Sequence, residues 1–283
     1  MKTIKIVGVP EHFNMPWYQA LESNRFEANG IDLQWTDIPE GTGKMCQMLR
    51  EGTADIAVIL TEGIIKDIEA GNPSSIVQIY VESPLIWGIH VAANSLYQSL
   101  SDLQNTKAAI SRFGSGSHLM AYINAQQQHW NTDSLDFHIV NTIDGAIESL
   151  DRGTADYFMW ERFMTQPLVD RGIFRRVGEC PTPWPCFVIA VRNKLLDNDR
   201  STVQKLLSII NSVSSQFKNQ PNTIETLAKR FHQKENDLKE WLTRTTWSQT
   251  NLTELQLMKI QNQLFELNII DKKSNFESIV SVI

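Results

Sequence analysis

Apolar and polar residues alternate from Thr3 to Val9, a period of two that predicts a strand. The period becomes helical across Trp17 to Ala28, and Asn29-Gly30 stops it. Ile31 to Trp35 reads as a second strand. Gly41-Thr42-Gly43 opens a helix that ends before Gly52, and Ile56 to Leu60 is a third strand. Thr61 starts a helix stopped by Gly71-Asn72-Pro73, and Ile76 to Val81 is a fourth strand. Strands alternating with helices of this length predict a mostly parallel sheet covered on both faces.

The pattern then restarts. Leu85 to Ala92 and Lys107 to Ser111 read as strands, and Ser115 opens a helix through Gln128. Leu135 to Val140 is a strand, Thr142 caps a helix to Leu150, and Asp156 to Trp160 is the next strand. Phe174 to Val177 follows a helix stopped by Gly172. Cys186 to Val191 follows the breaker cluster Pro181-Thr182-Pro183-Trp184-Pro185. After Asn193 the texture turns helical: Leu196 to Phe217, Thr223 to His232, Glu235 to Thr243 and Leu252 to Leu267.

One segment occurs twice. Leu49-Arg50-Glu51-Gly52-Thr53-Ala54-Asp55 returns as Leu150-Asp151-Arg152-Gly153-Thr154-Ala155-Asp156, each time between a helical pattern and an apolar run. A single long-spaced repeat is not a solenoid. It predicts two α/β lobes of like construction with a ligand cleft between them. The restart near residue 85 and the change near 192 divide the chain into residues 1–84 (lobe 1), 85–192 (an inserted lobe 2) and 193–283 (helices returning to lobe 1). Two crossings, near Ser83-Pro84 and Arg192-Asn193, would form a hinge.

Composition narrows the function. The chain has 283 residues, enough for two units, and its 42% apolar content is that of a globular protein. The net charge of −6 argues against a protein that tracks a nucleic-acid backbone. No run is apolar enough to span a membrane. No basic region followed by an apolar stretch and a cleavage site stands at Met1. The expected compartment is the cytoplasm for the chain as written, or the periplasm for a processed form. Cys46, Cys180 and Cys186 give no disulfide framework.

In open α/β sheets, ligands bind beyond the carboxyl ends of the strands. That rule selects Glu11, His12, Phe13 and Asn14 after the first strand, Thr42 after the second, and Thr61 and Glu62 after the third. In lobe 2 it selects Arg112 with Gly114, Ser115, Gly116, Ser117 and His118, and also Trp160 and Glu161. The Gly/Ser turn into a helix presents backbone N–H groups and a positive helix end to an anion, and Arg112 adds a guanidinium. Trp87, Trp160 and Trp184 could line an aromatic wall. The carboxylates suggest a ligand with donor as well as acceptor ends.

Other motifs fail. Glu40-Gly41-Thr42-Gly43-Lys44-Met45 is no P-loop, because Met45 stands where Ser/Thr would hold Mg²⁺. The histidines show no metal-ligand spacing, and no nucleophile–base pair is visible. No catalytic residue, metal or cofactor is expected. His90, alternating on a strand, reads as core or hinge.

Several stretches resemble a known family. They are Gly30-Ile31-Asp32-Leu33, Gly52-Thr53-Ala54-Asp55-Ile56-Ala57, Ser101-Asp102-Leu103, Gly114-Ser115-Gly116-Ser117-His118, Gly153-Thr154-Ala155-Asp156 and Gln261 to Ile270. Together they look like the type II periplasmic-binding-protein fold, in the branch of nitrate/sulfonate/taurine ABC-transporter substrate-binding proteins and thiamine-pyrimidine synthases. The resemblance implies a monomeric, non-enzymatic Venus-flytrap binder of a small, polar, anionic solute. Its Gly-Ser-Gly-Ser-His helix start would touch the ligand, and an ABC permease would be its partner. The chain departs from the family in showing no lipoprotein cysteine and no counterpart of the synthases' iron-binding cysteine cluster. Binding or synthesis of a thiamine-pyrimidine precursor is the alternative, and a cytoplasmic metabolite sensor a second one.

Overall fold

The structure, a computed structural model, describes residues 1–283. The chain divides into two compact units, Met1–Ser83 with Trp184–Ile283, and Pro84–Pro183. Unit 1 begins with β1 (Lys2–Gly8), α1 (Met15–Glu22), β2 (Ile31–Asp37), α2 (Thr42–Glu51), β3 (Ile56–Leu60), α3 (Thr61–Glu69) and β4 (Ser74–Val81). Unit 2 holds β5 (Ile86–Ala92), β6 (Lys107–Ile110), α4 (Gly116–Gln127), β7 (Asp136–Ile139), α5 (Ile143–Asp151), β8 (Tyr157–Glu161), α6 (Gln166–Asp170) and β9 (Phe174–Pro181). The chain re-enters unit 1 with β10 (Phe187–Arg192), then α7 (Asn193–Phe217), α8 (Thr223–Phe231), α9 (Glu235–Arg244), α10 (Glu254–Glu266) and α11 (Phe276–Ile279).

Each unit has one five-stranded sheet, ordered β2-β1-β3-β10-β4 in unit 1 and β7-β6-β8-β5-β9 in unit 2. Strand for strand the two orders correspond. The first three strands of each are parallel, and the fourth runs antiparallel to both its neighbours. That fourth strand, β10 or β5, is the first one formed after the chain arrives from the other unit. The change of texture near 192 predicts lobe 2 to run to that residue, but the strand Phe187–Arg192 is paired within unit 1, and the return falls at Pro183/Trp184. An apolar strand buried on both faces carries no mark of which sheet it joins.

The sequence repeat has a physical basis. Gly52 and Gly153 sit at φ +75° and +66°, the left-handed position that ends a helix. The next two amides return to one helix carbonyl in each copy, Thr53 and Ala54 to Met48, Thr154 and Ala155 to Ser149. The final aspartate then clamps the neighbouring strand. Asp55 donates its N–H to the Lys5 carbonyl and accepts from the Lys5 N–H at 2.9 Å. Asp156 does the same to Lys107, at 2.7 Å. Removing either carboxylate is expected to cost about 1–3 kcal/mol, the cost of a lost charged hydrogen bond. Urea unfolding of Asp55→Ala and Asp156→Ala would show it, with Asp156→Ala losing more because the Tyr97 hydroxyl also donates to that carboxylate. Unchanged midpoints would remove the clamp from the account.

Helix α1 is shorter than the periodicity predicts. Asn24 takes φ +54°, which ends the helix and turns Phe26 into the core at 2% exposure. The core of unit 2 gathers Ala109, Val140, Ala146, Leu150, Phe158, Leu168 and Phe174. The C-terminal segment is tied to α3 by the buried Glu69, which accepts from Gln261 Nε2 at 2.6 Å and from the Ser274 N–H and hydroxyl. No helix is long and apolar enough to cross a membrane.

Candidate functional site

In unit 2, β6 ends at Ile110 and the chain turns through residues 111–115 into α4. Three serines knit this turn. Ser117 Oγ accepts from the Ser111 N–H at 2.9 Å and lies 3.2 Å from Ser111 Oγ and 3.1 Å from Ser115 Oγ. Ser115 is the N-cap of α4 and accepts from the His118 N–H. His118 Nδ1 accepts from the Gly114 N–H at 3.1 Å. Two amides at the helix start, those of Gly116 and Ser117, have no protein acceptor. They are the orphan donors that every helix N-terminus carries.

Gly116 must be glycine for a steric reason. A Cβ there would lie 2.9 Å from Cη2 and 3.1 Å from Cζ2 of Trp87. The six-membered ring of the same indole therefore stands beside the first turn of α4, with Nε1 two bonds from Cζ2. Trp87 is 5% exposed, and its Nε1 has no hydrogen-bond partner. Buried indole N–H groups ordinarily find one. Three N–H donors without a protein acceptor thus gather at one corner of unit 2.

Trp87 pairs with Glu161 across the antiparallel β5–β8 ladder. Glu161 is buried, and its Oε2 accepts from the Met164 N–H at 2.6 Å. Burial pushes its carboxyl up to about 7, against the opposing pull of the Met164 and Phe163 amides, Arg162 and Arg176. Trp160 is half-buried, stacked on Phe158 at 5.5 Å and edge-on to Trp87 at 6.3 Å. Arg112 is exposed, and so is Phe113. Arg112 thus stands exposed to solvent while the backbone of its loop forms the donor corner.

Unit 1 has its own set at the same strand ends. Glu62, in the first turn of α3, is buried and accepts from Trp184 Nε1 at 2.8 Å. Burial pushes it up to about 7, with the hydrogen bonds from its own amide and from Trp184 pulling down. A Cβ on Gly63 would strike Thr42 Cγ2, so the first turns of α2 and α3 abut at Thr42 and Gly63. The Thr61 hydroxyl donates to the Pro185 carbonyl at 2.6 Å, which holds the returning chain on α3.

The loop after β1 is built differently from the sequence expectation. Glu11 is half-buried, but His12, Phe13 and Asn14 lie in the core. The His12 ring is 4.2 Å from Trp241, 5.0 Å from Phe13 and 5.9 Å from Phe231, and burial drives it down to about 3. The Phe13 carbonyl accepts from the Tyr80 hydroxyl and from Trp247 Nε1. Asn14 Nδ2 donates to the Val9 carbonyl at 2.8 Å. These three residues pack the base of unit 1. Ser111 joins the site only through the turn that folds it onto Ser117, which its spacing to Ser115 and Ser117 does not by itself reveal. His90 is buried, with Nε2 3.0 Å from the Thr165 hydroxyl. The three cysteines are buried free thiols, and no group of three or more His, Cys, Asp or Glu is placed to hold a metal ion.

The fold and its parts have known counterparts. The family profile described as Ca3427-like PBP matches residues 87–180, which is most of unit 2. The Candida albicans CA3427 gene product, which has the generic periplasmic-binding-protein fold, superposes with a TM-score of 0.89 at 23% identity, over 99% of this chain and 96% of its own. The periplasmic aliphatic sulphonate binding protein SsuA of Escherichia coli gives 0.80 at 16%, over 99% and 92%. The alkanesulfonate-binding protein SsuA of Xanthomonas axonopodis pv. citri, bound to MOPS, gives 0.84 at 13%, over 100% and 99%. No curated protein sequence matches the chain. The chain therefore has the periplasmic-binding-protein fold along its length, and its second unit is similar to the Ca3427-like proteins.

Proposed function

We propose that the protein is a non-enzymatic solute-binding protein whose unit 2 takes the acidic group of a small anionic molecule of the sulfonate class. The supporting observation is the donor corner. The Gly116 and Ser117 amides and Trp87 Nε1 have no protein acceptor, and the indole abuts Gly116. A tetrahedral oxyanion offers several acceptors to such a cluster, and the positive end of α4 adds to the attraction. Fixed N–H donors bind an oxyanion without a counter-charge of their own. That two neighbours of this fold are sulfonate-binding proteins agrees with this reading. An ABC permease is the partner it implies.

The test is a thermal-shift and calorimetric panel of ethanesulfonate, propanesulfonate, nitrate and phosphonates. A ligand at about a hundredfold its Kd adds roughly 2.7 kcal/mol of stability, which for this size moves Tm by several degrees. Gly116→Ala should weaken the responding ligand about tenfold or more, because the new methyl displaces the indole and crowds the two amides. No response from any anion, or an unchanged Kd in Gly116→Ala, would defeat the proposal.

A further inference from the structure

The donor corner has an acceptor beside it. Trp87 and Glu161 are opposed residues of an antiparallel ladder, so their side chains rise from one side of the sheet with Cβ atoms about 5 Å apart. That is the side on which Trp87 meets Gly116. The two oxygens of Glu161 have different surroundings. The Met164 and Phe163 amides both pull on the carboxyl, Oε2 accepting from Met164, while Oε1 is buried and has no hydrogen-bond partner. The nearby cations do not supply one. Arg162 Nε is engaged with Glu179, and Arg176 donates to the Arg162 carbonyl and to Gln166 Oε1. A buried carboxylate oxygen without a donor is a costly arrangement, and a structure keeps few of them.

We infer that Glu161 Oε1 receives an N–H donor from the ligand, so that the bound molecule carries an amino or ammonium nitrogen next to its acidic or acceptor group and is not a bare oxyanion. The inference rests on the solute-binding reading and narrows it. Trp87 and the α4 amides take the acceptor end, and Glu161 takes the donor end one strand away. Burial has pushed this carboxyl up to about 7, so its charged form gains much from an incoming donor. Glu161 is thus the residue that would set specificity between solutes sharing one acidic group. Selectivity of this kind is large because the wrong solute leaves a buried polar group unpaired.

The test uses two matched pairs and the full-length protein. The first is 2-aminoethanesulfonate against propanesulfonate, in which an ammonium replaces a methyl of nearly equal size. The second is 4-aminopyrimidine against pyrimidine, in which the nitrogen is a neutral aromatic amine. Calorimetry is run on wild type, Glu161→Gln and Trp87→Phe, with circular dichroism to verify folding. The expected result is that wild type prefers the amino member of one pair by about ten- to a hundredfold, the scale of a hydrogen bond to a charged group. Glu161→Gln should erase that preference, and Trp87→Phe should weaken both members. The pair that responds tells an aliphatic ammonium from an aromatic amine. Equal or tighter binding of the amine-free members would overturn the inference and leave the oxyanion reading standing. Binding of none of the four, with no response to the anion panel, would overturn both.

Discussion

Replacing Glu62 or Glu161 by glutamine is expected to stabilise its unit at pH 8 by about 2–3 kcal/mol, although each change removes a charged group from a native hydrogen-bond network. Each carboxyl is raised by burial from 4.5 to about 7. A group whose folded-state pKa is raised holds its proton more tightly in the folded chain than in the unfolded one. The stability this confers is complete below about pH 4.5 and is lost as the pH rises through about 7. A shift of that size corresponds to about 3 kcal/mol per group. Glutamine cannot ionise, so each variant should match wild type near pH 4, exceed it by a margin that grows from about pH 4.5 to about 7, and keep that margin at pH 8. Urea titrations at pH 4, 6 and 8 would read this. Equal stability of variant and wild type at pH 8 would show that neither carboxylate is strained. Retaining two ionisable groups where an amide is more stable is the pattern expected of a binding position.

Trp241→Ala should have the other large effect, a loss of about 3–5 kcal/mol, the usual cost of emptying an aromatic site in a core. Trp241 packs 4.2 Å from His12, 5.2 Å from Phe13 and 5.6 Å from Trp247. The variant carries a second readout. His12 is held down at about 3 by burial alone. With the indole gone, water reaches the ring, and its NMR titration should move up toward the ordinary 6.5. A small loss of stability with His12 still untitrated at pH 5 would contradict the aromatic cage. The same cage explains why His12 does not present a free imidazole to a solute. Its partners Phe231 and Trp241 lie in the last third of the sequence, where nothing marks them as neighbours of the first loop.

Local signals were legible wherever the physics is local. Gly52 and Gly153 sit at positive φ after their helices, and Ser115 and Thr142 cap theirs. The strands with period-two or continuous apolar runs lie within a residue or two of their expected bounds, as with Ile56–Leu60 and Ile86–Ala92. Glu62, Glu161 and the Gly114–His118 turn follow from one rule about strand ends and Trp87 from its aromatic ring alone, and in unit 2 the ladder sets Trp87 opposite Glu161. Pairing was not legible. The antiparallel setting of β5 and β10 depends on which strands lie beside them, and an all-apolar strand such as Phe187–Arg192 fits either sheet by composition.

The sequence by itself determined the α/β character, the duplicated helix–turn–strand device and the segments from which a site could be drawn, because periodicity, caps and turn residues act over a few positions. Only the tertiary structure decided what each candidate side chain does. It closed His12 into an aromatic core, left Arg112 exposed, engaged the Thr61 hydroxyl with a carbonyl more than a hundred residues away, and left Trp87 Nε1 and Glu161 Oε1 buried without partners. Burial and hydrogen-bond satisfaction are properties of residues brought together from distant parts of the chain, and those properties separate a binding group from a packing one.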